Sequence, residues 1–269
     1  MNRPSRARSL GFALICSTSL ICAVTLLPVA ARASAPGSGV APLSGISLTW
    51  SDCPGGATAA ADYSYACSGN GDVITLVCSI TPSQSISNVL GAELVVDIQS
   101  PDSALPDWWQ LGGMGSGGCR GGVLATDFDF AGNPGCTDAW NTFGFGGIQE
   151  FSVGPPDHPL LSQARIKATA AVTSDHALTL SAGVHYGLIK LVISSAGTVG
   201  TPACGGCSTP ACLVFNSALL RVLPPASDVT VSNPQAPGSN WATWQGTGAN
   251  CSAVPVRRSS WGSIKTLYR

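Results

Sequence analysis

The chain has 269 residues, of which 45% are hydrophobic and only 10% are charged, and its formal net charge is −1. Four of the nine basic residues that follow residue 33 lie among the last thirteen positions, and no acidic residue follows Asp228. Because the body of the chain has no basic footprint, the composition argues against nucleic-acid binding. The length is enough for one large β domain or at most two small ones.

The first 33 residues have the organisation of a secretory signal peptide. Three arginines precede an apolar stretch from residue 10 to residue 29, and the cleavage pattern Ala31-Arg32-Ala33 follows it. A membrane anchor is the alternative, but serine, threonine and proline interrupt the apolar stretch and no stop-transfer charges follow. We therefore predict a secreted or extracellular protein with no membrane span after cleavage. The periplasm and the cell surface are the alternative locations.

Alternating apolar and polar side chains predict most of the strands. Ile46, Leu48 and Trp50 alternate with serine and threonine, after a flexible start at residues 34–44. Further strands are predicted at residues 72–81, 92–99, 166–172, 187–194 and 212–223, with shorter ones at 127–130, 228–232 and 240–245.

Seven or more short strands, separated by glycine and proline turns, indicate an all-β fold with an antiparallel β-sandwich at residues 45–252. Strand spacing does not distinguish an immunoglobulin-like, a cohesin-like and a jelly-roll topology. Residues 201–212, between the strands at 187–194 and 212–223, are predicted to form a loop closed by disulfide bonds. Their prolines and glycines disfavour both a helix and the hydrogen bonding of a β-strand.

Nine of the eleven cysteines follow residue 33, and an exported chain is expected to form disulfides. Cys78 is predicted to be the free thiol, because it shares an apolar strand face with Ile74, Leu76 and Ile80. The remaining eight would form four bridges. The expected pairs are Cys53 with Cys67 and Cys119 with Cys136, and then Cys204 with Cys212 and Cys207 with Cys251, which is the favoured choice among three connectivities.

Cys204-Gly205-Gly206-Cys207 also has the spacing of a redox or zinc motif. A thioredoxin-type motif would open a helix after a strand, and this chain does not show that context. The disulfide interpretation is therefore favoured.

The glycine-rich segment between residues 101 and 148 lacks periodicity, and long loops of this kind often carry function. Trp108, Trp109 and Trp140 are its candidate ligand-binding residues, because flat aromatic rings on a β surface can stack on a sugar. Packing in the core is the competing interpretation and is favoured for most of the tryptophans.

The same segment carries Asp127, Asp129, Asn133 and Asp138, whose oxygens are of the type that calcium prefers. The pattern is not that of an EF-hand, and solvated loop acids are the favoured interpretation. We predict no cofactor or bound metal, with calcium as the alternative.

Catalytic motifs are weak in this sequence. The three histidines, His158, His176 and His185, stand in no recognisable motif, and Gly115-Ser116-Gly117 lacks the full pattern of a nucleophile elbow. Two glutamates give thin support for paired-carboxylate glycoside cleavage. The sequence leaves enzymatic activity open and favours a non-enzymatic role.

The basic C-terminal tail, residues 253–269, has apolar residues spaced three and four apart, which predicts a short helix. Its candidate functional residues are Arg257, Arg258, Trp261, Lys265, Tyr268 and Arg269. Docking on the acidic body is the favoured role, and a handle for a partner or a sorting machine is the alternative.

Four motifs carry a resemblance that spans nearly all of the chain after residue 33. They are Trp50-Ser51-Asp52-Cys53, Leu105-Pro106-Asp107-Trp108-Trp109-Gln110, Cys207-Ser208-Thr209-Pro210-Ala211-Cys212, and the terminal segment from Trp261-Gly262 to Tyr268-Arg269. With them the chain resembles a group of exported, cysteine-containing bacterial β-proteins of no known activity, and more loosely a cohesin-like sandwich. The resemblance implies secretion and bacterial origin.

We therefore expect a secreted or surface-displayed, non-enzymatic β-sandwich that acts as an adhesion or interaction module, with an unknown protein or glycan as its partner. The alternative is a carbohydrate-binding module or a polysaccharide hydrolase that uses the tryptophan-bearing segment.

Overall fold

The computed structural model describes residues 45–112, 118–157, 159–246, 248–249 and 251. The strands of these residues, in chain order, are β1 (Gly45–Trp50), β2 (Asp62–Tyr63), β3 (Val73–Thr81), β4 (Ile86–Gln99), β5 (Leu124–Asp127), β6 (Thr137–Asp138), β7 (Phe145–Val153), β8 (Gln163–Ala171), β9 (Leu178–Leu180), β10 (Tyr186–Ser194), β11 (Ala211–Val222), β12 (Val229–Val231) and β13 (Trp241–Trp244). Two short 3₁₀ turns are Asp107–Trp109 and Ser174–His176.

The strands form two sheets that pack face to face. One sheet has the order β1-β3-β10-β5, with β6 added to β10, and the larger sheet has the order β2-β13-β11-β4-β8-β7, with β12 on β11 and β9 on β4. The pairs are antiparallel except β6 with β10 and β2 with β13, which are parallel. The predicted all-β sandwich is confirmed.

Alternating burial explains how the sheets meet. In β8, Ala164, Ile166, Ala168 and Ala170 are buried, while the residues between them are less buried. The same period of two buries Ala92, Leu94, Val96 and Ile98 in β4, so the inner faces of both strands contribute to one core.

The strand β3 is buried on both faces. Its inward residues include Cys78, which is fully buried and has a free thiol, and burial raises the pKa of that thiol. On the outer face, Val77 packs in a small cluster with Phe130 and the Cys53–Cys136 disulfide. Phe130 and this disulfide therefore cover part of the outer face of the smaller sheet.

Several strands differ from the sequence prediction, and the short strands β2, β6 and β9 were not predicted. The strand predicted at residues 127–130 lies at Leu124–Asp127, and β7 was not predicted. Gly146 and Gly147, together with a bulge between Ile148 and Glu150, interrupt the alternation that would have marked β7.

The strand β10 has a bulge as well. A register shift between Gly187 and Ile189 lets Leu188 and Ile189 both be buried, where alternation predicted them on opposite faces. Glycine is required at 187 because a Cβ there would lie 2.3 Å from the ring of Phe130.

Four disulfides join the eight cysteines other than Cys78 in the described residues, but the predicted pairing is wrong. The bridges are Cys53–Cys136, Cys67–Cys207, Cys119–Cys204 and Cys212–Cys251. The predicted pairs joined neighbours in sequence. The antiparallel sheets instead bring the loops before β3, after β4 and before β11 to one end of the sandwich, where Cys67 meets Cys207 and Cys119 meets Cys204. The Cys53–Cys136 bridge lies on the outer face of the smaller sheet.

Residues 1–44 and the basic C-terminal tail with its predicted helix lie outside the described residues. Within the part of the chain that is described, no helix is long and apolar enough to cross a membrane.

Candidate functional site

The three tryptophans predicted to bind a ligand are buried. Trp108, Trp109 and Trp140 have no exposed surface. The indole N–H of Trp108 donates to Thr198 Oγ1 at 2.9 Å, and that of Trp140 donates to the carbonyl oxygen of Leu188 at 2.6 Å. These side chains pack in the core, as the sequence favoured for most of the tryptophans, and their covered ring faces exclude surface stacking on a sugar.

Trp108 and Trp109 belong to an aromatic cluster at the disulfide-linked end of the sandwich. Trp108 stacks on Trp244 with ring centroids 4.7 Å apart and planes 26° apart, and Trp244 also contacts Trp50 and Tyr63. The 3₁₀ turn Asp107–Trp109 places the two adjacent indoles on the same side, whereas an extended backbone would separate them. The cluster packs beneath the cysteine-bearing loops, and Trp244 donates a hydrogen bond to the carbonyl oxygen of Cys207.

Arg120 fixes the glycine-rich segment onto this cluster. Its guanidinium lies 3.9 Å from the ring centroid of Trp108 and donates to the carbonyl oxygens of Ala196, Trp108 and Ser194. Burial lowers the pKa of Arg120 to about 10. Since carbonyl groups and a ring face surround the guanidinium, its role is to join three chain segments.

The four residues of the calcium hypothesis serve other contacts. Asp127 forms an ion pair with Lys190, and Asp138 accepts hydrogen bonds from the backbone N–H groups of Trp140 and Thr142. Asp129 closes a local turn with the N–H of Ala131. No group of three or more acidic, histidine or cysteine side chains suited to a metal occurs among the described residues.

The histidines are placed in two different settings. His185 Nε2 lies 2.8 Å from Ser79 Oγ, but Ser79 is fully buried in β3, so this hydroxyl is closed to a substrate. His176 stacks on Phe143 with ring centroids 3.7 Å apart. His158 lies outside the described residues.

The outer face of the larger sheet carries cross-strand ion pairs. Arg165 on β8 binds Asp97 on β4 at 2.7 Å and Asp157 at 2.7 Å. Nearby, Lys167 on β8 pairs with Glu150 on β7 at 2.6 Å. Each cation of this strand face beside β7 is therefore paired with at least one carboxylate.

The strand β7 forms one edge of the larger sheet and pairs only with β8 in the described structure, and the two-residue strand β2 forms the other edge. Seven large apolar side chains are exposed in the described residues, and five of them lie in β7 or next to its ends. They are Phe143, Phe145, Val153, Leu160 and Leu161, with exposed fractions of 45%, 54%, 40%, 57% and 66%. We call β7 and these five residues the β7 edge.

The β7 edge does not follow from the pattern of the sequence. The Leu160-Leu161 pair in a loop that otherwise holds proline, aspartate and histidine was the available signal. An apolar pair at such a place has no strand to bury it, and the structure leaves both leucines exposed.

A second polar group of note lies on the outer face of the smaller sheet. Lys190 is only 11% exposed, and its amine contacts Asp127 Oδ2 at 2.7 Å and Asn133 Oδ1 at 3.5 Å. Asn133 itself is 8% exposed. Asp127 and Asn133 are close in sequence, whereas Lys190 comes from a strand far along the chain, so the sequence pattern does not connect the three.

No family model matches the sequence, and a search of curated proteins finds no match. Among solved structures, the chain is similar to the second type II cohesin module of the cellulosomal adaptor ScaA scaffoldin of Acetivibrio cellulolyticus. The identity is 11% and the TM-score is 0.29, over 71% of this chain and 91% of that one. A likeness of this size adds no argument about function.

Proposed function

We propose that the chain is a secreted or surface-displayed, non-enzymatic β-sandwich that acts as an interaction or adhesion module, with the β7 edge as its binding surface for a protein. The exposed apolar side chains at both ends of one edge strand, whose outer side has no paired strand in the described residues, carry this proposal.

An unpaired edge strand offers a row of backbone N–H and C=O groups to an incoming strand. Natural sheets protect such edges with bulges and charges, and β7 has a bulge at Gln149. Its charged residue Glu150 is already neutralised by Lys167. A partner segment that lies along β7 would bury the exposed apolar residues at both ends of the strand, and this burial would add affinity.

Export is supported by the cysteine chemistry. Four disulfides in one β domain are typical of proteins that fold in an oxidising compartment. The signal-peptide pattern at residues 1–33 points to the same compartment. We therefore place the binding partner outside the cytoplasm.

The alternative of a carbohydrate-binding module rested on Trp108, Trp109 and Trp140. Since all three are buried, that alternative has lost the residues that motivated it.

The test compares retention of secreted and surface proteins from the source organism by three immobilised proteins. These are the wild type, a Leu160→Ser/Leu161→Ser variant and a Val73→Ser control, which changes a similarly exposed apolar residue outside the β7 edge (65% exposed). We expect the wild type and the control to retain the same partner and the double variant to bind it at least tenfold more weakly. Equal retention by all three, or retention of a glycan instead, would overturn the proposal.

A further inference from the structure

Lys190 lies in a covered site on the outer face of the smaller sheet. It stands in register between Val77 of β3 and Asp127 of β5, so its side chain shares their face. The amine lies 5.3 Å from the ring centroid of Phe130 and also donates to the carbonyl oxygen of Asp129. A lysine that is held this firmly has little of the freedom of a surface amine.

Asn133 presents its amide carbonyl to this amine. Its Nδ2 donates to the carbonyl oxygen of Ser51 and to Asp52 Oδ1, both at 3.2 Å, and this leaves Oδ1 directed to Lys190 Nζ at 3.5 Å. Because a C=O bond is about 1.2 Å long, Cγ of Asn133 lies no more than about 4.7 Å from the amine nitrogen. The amine must therefore approach the amide carbon by up to about 1.2 Å to reach the separation of about 3–3.5 Å from which attack occurs.

The backbone around Asn133 is fixed by its neighbours. The Cys53–Cys136 disulfide ties its loop to the loop after β1. The two loops touch through their backbones, since a Cβ at Gly135 would lie 2.5 Å from the carbonyl oxygen of Cys53. The loop therefore holds the amide over the lysine in one position.

We propose that Lys190 and Asn133 react with each other to form an intramolecular amide bond. Asp127 accepts a proton from the ammonium, and the neutral Nζ attacks Cγ of Asn133. A bond forms between Nζ and Cγ, the bond between Cγ and Nδ2 breaks, and Nδ2 leaves as ammonia with the proton that Asp127 returns. The second proton of Nζ, which the new amide does not keep, passes to the departing ammonia, so ammonium is released. No oxidant, cofactor or second reactant is required.

Asp127 is suited to carry this proton because it contacts the amine directly. Burial raises the pKa of Asp127, but the hydrogen bonds from Lys190 and from the backbone N–H of Asp129 outweigh burial and lower the pKa below its usual range. Proton transfer from Lys190 is consequently unfavourable and the reaction is slow. A single turnover per molecule is sufficient, and the loss of ammonia to solvent makes it irreversible.

The residue after Asn133 removes the main competing route to the same mass loss. Asparagine can lose ammonia by cyclising onto the backbone N–H of the next residue, but Pro134 has no N–H. A loss of ammonia localised to Asn133 therefore reports the bond to Lys190.

The test is the intact mass of the purified full chain, followed by digestion and peptide sequencing by mass spectrometry. Once the hydrogens lost in disulfide formation are counted, the wild type is expected to be lighter by one ammonia molecule. Digestion should give a branched peptide that joins Lys190 to Asn133. A wild-type chain with no loss of ammonia, or with separate unmodified Lys190 and Asn133 peptides, would overturn the proposal.

Variants identify the reacting groups. Lys190→Arg keeps the charge but has no amine of this type, and Asn133→Ala removes the amide, so both should keep the full mass. Lys167→Arg is the matched control, because Lys167 also pairs with a carboxylate on a neighbouring strand. It should lose ammonia like the wild type. Asp127→Asn should slow the reaction, and loss of ammonia that persists in Lys190→Arg would contradict the assignment.

Discussion

Arg165 and Asp97 form a two-point ion pair across neighbouring strands, with Nε to Oδ1 at 2.7 Å and Nη2 to Oδ2 at 2.8 Å. The two side chains are only 13% and 9% exposed. The hydrogen bonds that Arg165 donates to Asp97 and Asp157 hold the pKa of Arg165 above its usual range, against the effect of burial. The outer face of the larger sheet therefore contains a charged pair that is largely shielded from water.

Asp97→Asn should destabilise the protein by about 3 kcal/mol, the lower end of the cost of breaking a buried pair. The reason is that Arg165 would keep only the exposed Asp157 as its partner. Glu93→Gln, which breaks the exposed pair with Arg221, is the control and should cost no more than about 1 kcal/mol. Urea unfolding measures both, and equal costs would show that the shielding has no energetic effect.

Trp244→Ala should cost about 3–5 kcal/mol because it opens a cavity between Trp50, Tyr63 and Trp108. It also removes the donor to the carbonyl oxygen of Cys207. Phe145→Ala, at an exposed aromatic ring, should stay within about 0.5 kcal/mol of the wild type. Thermal or urea unfolding measures both changes in stability. A loss of stability in Trp244→Ala as small as that in Phe145→Ala would contradict the packing of the aromatic cluster.

Replacing Cys119 and Cys204 together by serine should destabilise the chain by about 2–5 kcal/mol, since their bridge spans 85 positions of sequence. The connectivity is checked first by a peptide map under non-reducing conditions. A peptide that links Cys204 to Cys212 would show that the loop-closing pairs of the sequence prediction are correct and that the structure is not.

His185 should make stability fall at acidic pH. Burial lowers the pKa of His185 below its ordinary value of 6.5, so the unfolded chain takes up a proton at a pH where the folded chain does not. Stability from this residue is therefore complete above pH 6.5 and decreases as the pH falls below that value. His185→Gln should flatten this part of the curve of unfolding free energy against pH, and an unchanged slope would refute the assignment.

The strands that bury one face could be predicted from the sequence. The alternation of apolar and polar residues predicted β1, β8 and the second half of β4, residues 92–99. A period of two follows directly from the pleat of a strand. The alternation failed at β7, where two glycines and a bulge remove the period.

The sites could not be predicted in the same way. The pairing of Cys67 with Cys207 depends on which loop ends the sheets bring together, and spacing along the chain does not contain that information. The burial of Trp108 and Trp109 depends on a single 3₁₀ turn. The contact between Lys190 and Asn133 likewise needs the register of β10 beside β5.

The most direct test of the β7 edge as a binding surface is hydrogen–deuterium exchange of the peptide that covers Phe145–Val153. It is measured on the free protein and on its complex with the partner that the immobilised wild type retains. The account predicts rapid exchange in the free protein, because the outer groups of β7 have no paired strand in the described structure, and marked slowing in the complex. Unchanged exchange in β7 with slowing elsewhere in the sandwich would contradict it.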